Sequence, residues 1–242
     1  MSSAASTNPR SGVYDLVLAA FCGLLLISNV AATKLIAFGP DWDVAGFPVL
    51  PIITDGGALL FPLTYILGDV LAEVYGLKRA NRAIFTGFAL ALIAAVTFWL
   101  VDLAPASPAW PVAPAWHQVL GFVPRIVAAS LLGYLAGQLL NAFVLVRIKQ
   151  HWGERRLWAR LITSTLVGEF ADTGVFCLIA YGWLGAILGG DSIPGGTLLN
   201  YIAIGWIYKV LVEVVLLPVT YRVINFVRNK ENHTESNPTE TT

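Results

Sequence analysis

Six stretches of this chain, at about 13 to 36, 57 to 75, 84 to 104, 122 to 146, 162 to 187 and 197 to 224, are apolar over the length of a membrane crossing. The hydrocarbon layer takes roughly 20 consecutive apolar residues in helical form. The expected fold is therefore all-α: a polytopic integral membrane protein with six transmembrane helices. Those helices use up nearly all of the 242 residues, which are 57% hydrophobic and only 12% charged. One transmembrane domain at 13–228 leaves a polar tail at 1–12 and a tail at 229–242 without apolar residues, expected to be disordered. The first apolar run is long enough to span and does not end as a short cleavable segment, so it is expected to be retained.

The 15 Lys and Arg residues fall into two sets. Arg10 precedes the first span. Lys78, Arg79 and Arg82 lie in the second connection, Arg147, Lys149, Arg155, Arg156 and Arg160 in the fourth, and Arg222, Arg228 and Lys230 close the sixth span. The first, third and fifth connections carry none, so positive charge on the inner side predicts that both termini are cytoplasmic. The third connection, PASPAWPVAPAWHQV, is rich in Pro and Trp and reads as a short outer cap with an interfacial aromatic belt. A net charge of zero gives no reason to expect a nucleic-acid partner. Cys22 and Cys177 lie in apolar spans and suggest neither a disulfide framework nor a metal site; no cofactor is expected.

The remaining bases, Lys34, Arg125 and Lys209, fall inside the spans together with Asp69, Glu73, Glu169, Asp172 and Glu213. Charges at membrane depth are costly, so they normally face a cavity, pair with one another and line a path for a substrate or ion. Transport is the function this pattern implies.

Helical spacing groups these residues. Asn29 and Thr33 share a face near the outer end of the first span, beside Lys34, whose plain alternative is snorkelling to the headgroups. Asp69 and Glu73 are four apart, stacking two carboxylates that repel unless a proton or cation intervenes; Glu73 also reads as an interfacial residue close to the basic turn. Pro62, in the same span, allows a kink. Ser130, Tyr134, Gly137, Gln138 and Asn141 form one polar stripe on the fourth span, suited equally to binding and to interhelical hydrogen bonding. Arg125 projects about 140° from Ser130 and joins the stripe only through an irregular start at Pro124. Glu169 and Asp172 share a face of the fifth span, where the letters DTG at 172–174 sit in a helix and not in the strand-borne loop of an aspartic protease. Lys209 and Glu213, four apart, suggest an intrahelical ion pair near mid-depth. A weak echo links DGGALLFPLTY before the second span with PGGTLLNYIAI before the sixth.

The segments SNVAATKL, FPLTYILGDVLAEVYG with the basic turn LKRANR, RIVAASLLGYLAGQLLNAF, STLVGEFADTGVF and IYKVLVEVVLLP carry a resemblance. Together, over residues 14–224, they resemble the queuosine precursor transporter family, six-helix bacterial inner-membrane proteins also grouped as vitamin uptake transporters. The resemblance implies uptake of 7-deazaguanine bases, 7-cyano-7-deazaguanine and its 7-aminomethyl relative, for tRNA modification. It places the family's motif positions on Asn29, Lys34, Asp69, Glu73, Arg125, Gln138, Asp172 and Lys209. Glu169 stands where the family pattern has Gln, and Asn141 where an acidic residue is frequent.

The residue chemistry suits such a substrate on its own terms. A guanine-like base presents donors along one edge, which a carboxylate accepts in pairs, and acceptors elsewhere that call for Lys, Arg, Asn or Gln. Phe61, Tyr65, Tyr134 or Phe176 could stack on its face. Three other readings stay open: a proton-coupled carrier of a vitamin or another nucleobase-like compound, a substrate-binding membrane subunit, and an intramembrane aspartyl protease. The last lacks a GxGD context, since residues 66–69 read ILGD. The expected partners are a small nucleobase-like molecule and the lipid bilayer, with a homodimer suggested by the polar surface that six helices must enclose.

Overall fold

The structure, a computed structural model, describes residues 12–44, 47–152, 157–187 and 192–236. Arg10, Arg155, Arg156 and the tail positions 1–11 and 237–242 lie outside the described residues. Among the described residues eight helices and one hairpin follow in the order α1 (Gly12–Ala31), β1 (Leu35–Val44), β2 (Phe47–Asp55), a 3-10 turn (Gly56–Leu59), α2 (Phe61–Tyr75), α3 (Leu77–Leu103), α4 (Ala113–Val119), α5 (Val123–Trp152), α6 (Leu157–Ala180), α7 (Trp183–Ile187) and α8 (Gly195–Ser236). The long helices are α1, α2, α3, α5, α6 and α8. By length and hydropathy Val13–Ala31, Leu77–Leu103, Ala113–Ile148 and Gly195–Glu231 suffice to cross a membrane. The molecule is a mostly helical, polytopic membrane protein.

The long helices close into a ring in the order α1, α3, α5, α6, α8, α2. Small residues make the close contacts. Ala80, Ala83, Gly87, Ala91 and Ala95 form a buried seam along α3, and a Cβ added at Gly87 would stand 2.9 Å from a methyl of Leu25 on α1. On the α5–α6 pair, a Cβ at Gly137 would meet the Gly168 carbonyl oxygen at 2.9 Å, and one at Gly168 would meet the Asn141 Cβ at 2.8 Å. Lipid supplies no hydrophobic drive between helices, so such close approach is what holds them together.

The fold is not purely helical. The first apolar run ends as helix at Ala31, and the chain then makes a two-stranded antiparallel hairpin, with Leu35 opposite Asp55 and Val44 opposite Phe47. Its register breaks between Phe38 and Trp42, where Gly39 takes φ 104° beside Pro40. Pro48 and Pro51 fall on β2, tolerable because a two-stranded sheet needs ladder donors on one side only. The prolines and the glycine give this segment the look of a loop in sequence.

Other boundaries moved for local reasons. Pro62 occupies the first turn of α2, not a mid-helix kink, where its missing N–H costs nothing. A single residue, Gly76 at φ 80°, joins α2 to α3, so Lys78, Arg79 and Arg82 ride on the first turns of α3 and not in a loop. α8 continues as helix through Ser236, past the expected start of a disordered tail at 229. Just before that point Ile224 and Val227 bury against Tyr14, Val17, Val70 and Leu71, and beyond it the Tyr75 hydroxyl donates to Glu231 at 2.6 Å.

The hairpin defines one end of the ring; the opposite end carries Lys78, Arg79, Arg82, Arg222 and Arg228 and is called here the basic end. An apolar cluster around Tyr14, Leu71, Ala83 and Ile224 lies at the basic end, and another around Ala32, Ile126, Cys177, Tyr181 and Tyr201 at the hairpin end. Between them the ring encloses a cavity.

Candidate substrate cavity

The cavity has a volume of about 700 Å³ and draws its walls from α1, the end of β2, the 3-10 turn, α2, α3, α5, α6 and α8. That lies within the roughly 300–1,000 Å³ typical of small-molecule sites. Its chemistry is uneven. Asp55, Asp69, Glu169, Asp172 and Glu213 line it, against Lys209 as the lining Lys or Arg.

Lys209 on α8 reaches across to α6. Its ammonium pairs with Asp172 and lies 3.7 Å from Glu169 Oε2, with the Phe61 ring centroid 5.4 Å away. The expected intrahelical pair with Glu213 is therefore replaced by a pair between helices. Position 213 does share the lysine's face, but two facing carboxylates on α6 offer the stronger field. Glu213 instead accepts from Tyr65, whose hydroxyl stands 3.4 Å from Glu213 Oε2 and 3.4 Å from Glu169 Oε1. A phenol has one proton, so it satisfies one of these carboxylates at a time.

Asp69, half-buried on α2, lines the same cavity and makes no hydrogen bond or ion pair among the described residues. Of all the acids here it is the one left open to a ligand. Asn29, Gln138 and Asn141 line the same cavity, and the Asn29 carbonyl accepts from the Ser130 hydroxyl at 3.2 Å, which leaves its NH₂ as the available donor. Ser130, Tyr134, Gly137, Gln138 and Asn141, the polar stripe of the fourth span, all line the cavity, while Ser130 also makes an interhelical hydrogen bond to Asn29. Phe61, Tyr65, Tyr134 and Phe176 are there too, with Phe61 and Tyr65 tilted rings 5.0 Å apart.

Three expected site residues lie elsewhere. Lys34 sits exposed in the turn after α1, outside the membrane-spanning helix that was expected to carry it. Glu73 is exposed near the basic end, as its interfacial reading allowed. Arg125 starts α5 within the apolar hairpin-end region; its Nε donates to the Ile179 carbonyl at 2.9 Å and its guanidinium lies over Phe122 at 5.2 Å. That contact ties down the last turn of α6, and Arg125 is not among the residues that line the cavity. α5 is regular from Val123, so no irregular start at Pro124 brings Arg125 round to the polar stripe.

Asp55, Thr173, Tyr201 and Tyr208 line the cavity without having been singled out in the sequence. Thr173 is 3% exposed, and its hydroxyl has no hydrogen-bond partner among the described residues. Asp55 accepts from the N–H groups of Gly57 and Ala58, at 2.6 and 3.2 Å, and from the Tyr201 hydroxyl. Burial pushes its carboxyl above the ordinary range against the opposing pull of these donors. The signal for Asp55 was its place ahead of Gly-Gly at a helix start, the position of a capping acid. Cys22 and Cys177 are both free and buried.

Residues 55–223, well over half of the chain, match the family described as "Putative vitamin uptake transporter". The chain belongs to that family. Among curated relatives of this vitamin uptake transporter group, the "Queuosine precursor transporter" of Escherichia coli (strain K12) is 28% identical over 176 residues, 73% of this chain and 75% of the relative. The "Probable queuosine precursor transporter" of Bacillus subtilis (strain 168) is 28% identical over 178 residues, 72% of this chain and 73% of the relative. That of Haemophilus influenzae is 33% identical over 125 residues, 52% of this chain and 51% of the relative. No solved structure matches the chain. As a member of the vitamin uptake transporter family the protein is a multi-pass membrane transporter of a small molecule, and not an enzyme.

Proposed function

We propose that the protein imports queuosine precursors, 7-deazaguanine bases such as 7-cyano-7-deazaguanine and its 7-aminomethyl relative, across the bacterial inner membrane. In this reading the basic end and both termini are cytoplasmic and the hairpin faces outward. One observation carries the substrate assignment: a cavity whose lining acids outnumber its bases, with Asp69 free of a hydrogen-bond or ion-pair partner among the described residues and with amides and aromatic rings in the same lining. A carboxylate without a protein donor is suited to accept the ring N–H and exocyclic amine of a guanine-like edge as a pair. Asn29, Gln138 and Asn141 supply donors for the carbonyl and ring nitrogen, and Phe61 and Tyr65 an apolar face on which the base stacks. The names of the curated relatives point to the same class of molecule.

The test is uptake of labelled 7-cyano-7-deazaguanine by cells that cannot make it. Expression of this chain should restore accumulation of label in the cell, and unlabelled 7-aminomethyl-7-deazaguanine should compete. Accumulation no greater than in vector controls, with the protein shown to be in the membrane, would overturn the assignment.

A further inference from the structure

The two ends of the cavity are closed to different degrees. At the basic end Leu77 and Asn81 both line it and are exposed, so the cavity has a mouth there. At the hairpin end its neighbours are buried: Ala32, Asp55, Tyr181, Leu198 and Tyr201 are each less than a tenth exposed.

What shuts the hairpin end is a set of side-chain hydrogen bonds from α8. Asn200, 2% exposed, donates through Nδ2 to the carbonyls of Pro48 and Val49 at 2.7 and 3.0 Å, and its Oδ1 accepts from the Ile53 N–H at 3.4 Å. Tyr201 donates to Asp55, and two turns later Tyr208 donates to the Ala58 carbonyl at 3.0 Å. All of these bonds fall on β2 and the 3-10 turn. β1, by contrast, is exposed from Ala37 to Val44, so among the described residues the hairpin is fastened through β2 and the base of β1 at Leu35. Bonds of this kind are directional yet replaceable by water, so they can be broken and remade at little net cost. A transporter has to do this, since its site faces one side of the membrane at a time.

We propose that β2 and the 3-10 turn are the outer gate of the transport path, that Asn200 and Tyr201 are its latch, and that the conformation described is open toward the basic end. Gate opening would part Asn200 from residues 48–53 and Tyr201 from Asp55, and uncover the cavity wall at Cys177. The proposal rests on the transporter assignment and on the hairpin facing outward; it does not depend on which molecule is carried.

Cys177 is the natural probe, being buried, free and part of the cavity wall. In a Cys22→Ser background, membrane-impermeant maleimide is applied to right-side-out and inside-out vesicles, and labelling of Cys177 is followed by mass spectrometry. Asn200→Ala combined with Tyr201→Phe should raise its labelling rate from the hairpin side at least tenfold. An unchanged rate in protein of normal abundance and normal gel-filtration behaviour would overturn the proposal. A second pair of changes covers the case in which the latch variant misfolds. A Cβ at Gly196 would lie 3.0 Å from Pro48 Cδ, so Pro48→Cys with Gly196→Cys can be joined by oxidation. The cross-linked protein should lose hairpin-side labelling of Cys177 and regain it on reduction. Labelling that persists with the cross-link verified would equally sink the gate. If Cys177 responds as expected but the unaltered chain does not accumulate labelled 7-cyano-7-deazaguanine, the gate stands and the substrate assignment fails.

Discussion

Lys209 and Asp69 make opposite demands on the cavity, and their variants should behave differently. The lysine is held between Asp172 and Glu169 of α6, so Lys209→Met leaves two carboxylates facing each other in a region of low dielectric. Breaking such a pair by removing one partner costs on the order of 3 to 5 kcal/mol. The variant should lose both uptake and thermal stability in detergent. Adding Asp172→Asn should recover stability further than uptake, whereas Glu213→Gln should not, because Glu213 bonds to Tyr65 and not to the lysine. Equal rescue by both would show that the charge balance is shared by the whole cavity. Asp69 has no partner to abandon among the described residues. Asp69→Asn should therefore leave folded protein at its normal level while uptake falls to about a tenth or less, the tenfold that corresponds to about 1.4 kcal/mol of lost binding or transition-state stabilisation. Wild-type uptake by that variant would remove Asp69 from the substrate site.

The α5–α6 pair sets how close the carboxylates of α6 come to the amides of α5. Gly133, Gly137 and Gly168 permit the approach; a Cβ on Gly133 would meet the Asp172 carbonyl oxygen at 2.8 Å, and one on Gly137 the Asp172 Cβ at 2.9 Å. Neither neighbour can step aside without moving a helix. Gly137→Leu should cost about 1 to 3 kcal/mol or more by overpacking and reduce the yield of protein that survives detergent extraction. Gly174 lies on the same α6, but nothing stands within 4 Å of a Cβ there. Gly174→Ala should extract normally; a matching loss would mean that α6 tolerates no change at all, and that the glycine contacts are not the cause.

At the scale of the molecule, the ring and its hairpin require a defined orientation. The basic residues at the start of α3 and late in α8 lie at the end opposite the hairpin, and positive charge collects on the cytoplasmic side. A cysteine introduced at Pro111 should react with an impermeant maleimide added to intact cells, and one at Lys78 only after the membrane is opened. The reverse pattern would invert the molecule, and would turn the proposed outer gate into an inner one.

The sequence by itself determined what local pattern encodes. Lengths of apolar residues marked six long helices, and 100° spacing put Ser130, Tyr134, Gln138 and Asn141 on one wall. Apart from SNVAATKL at 28–35, the motif blocks that carried the family resemblance run through the same residues 55–223 that match the family. Tertiary structure decided whatever depends on which elements are neighbours. Spacing allows Lys209 to meet Glu213, but the placement of α6 beside α8 gives it Asp172 instead. Arg125 and Lys34 read as membrane charges on helical numbering, yet a helix ending at Ala31 and a carbonyl at Ile179 take them out of the cavity. The hairpin was hidden by its prolines, and with it the role of Asn200, which is a residue of no note until β2 lies within reach of its amide. Periodicity reports the face on which a side chain stands. It does not report how far that side chain must reach, or what folded segment waits there to be bonded.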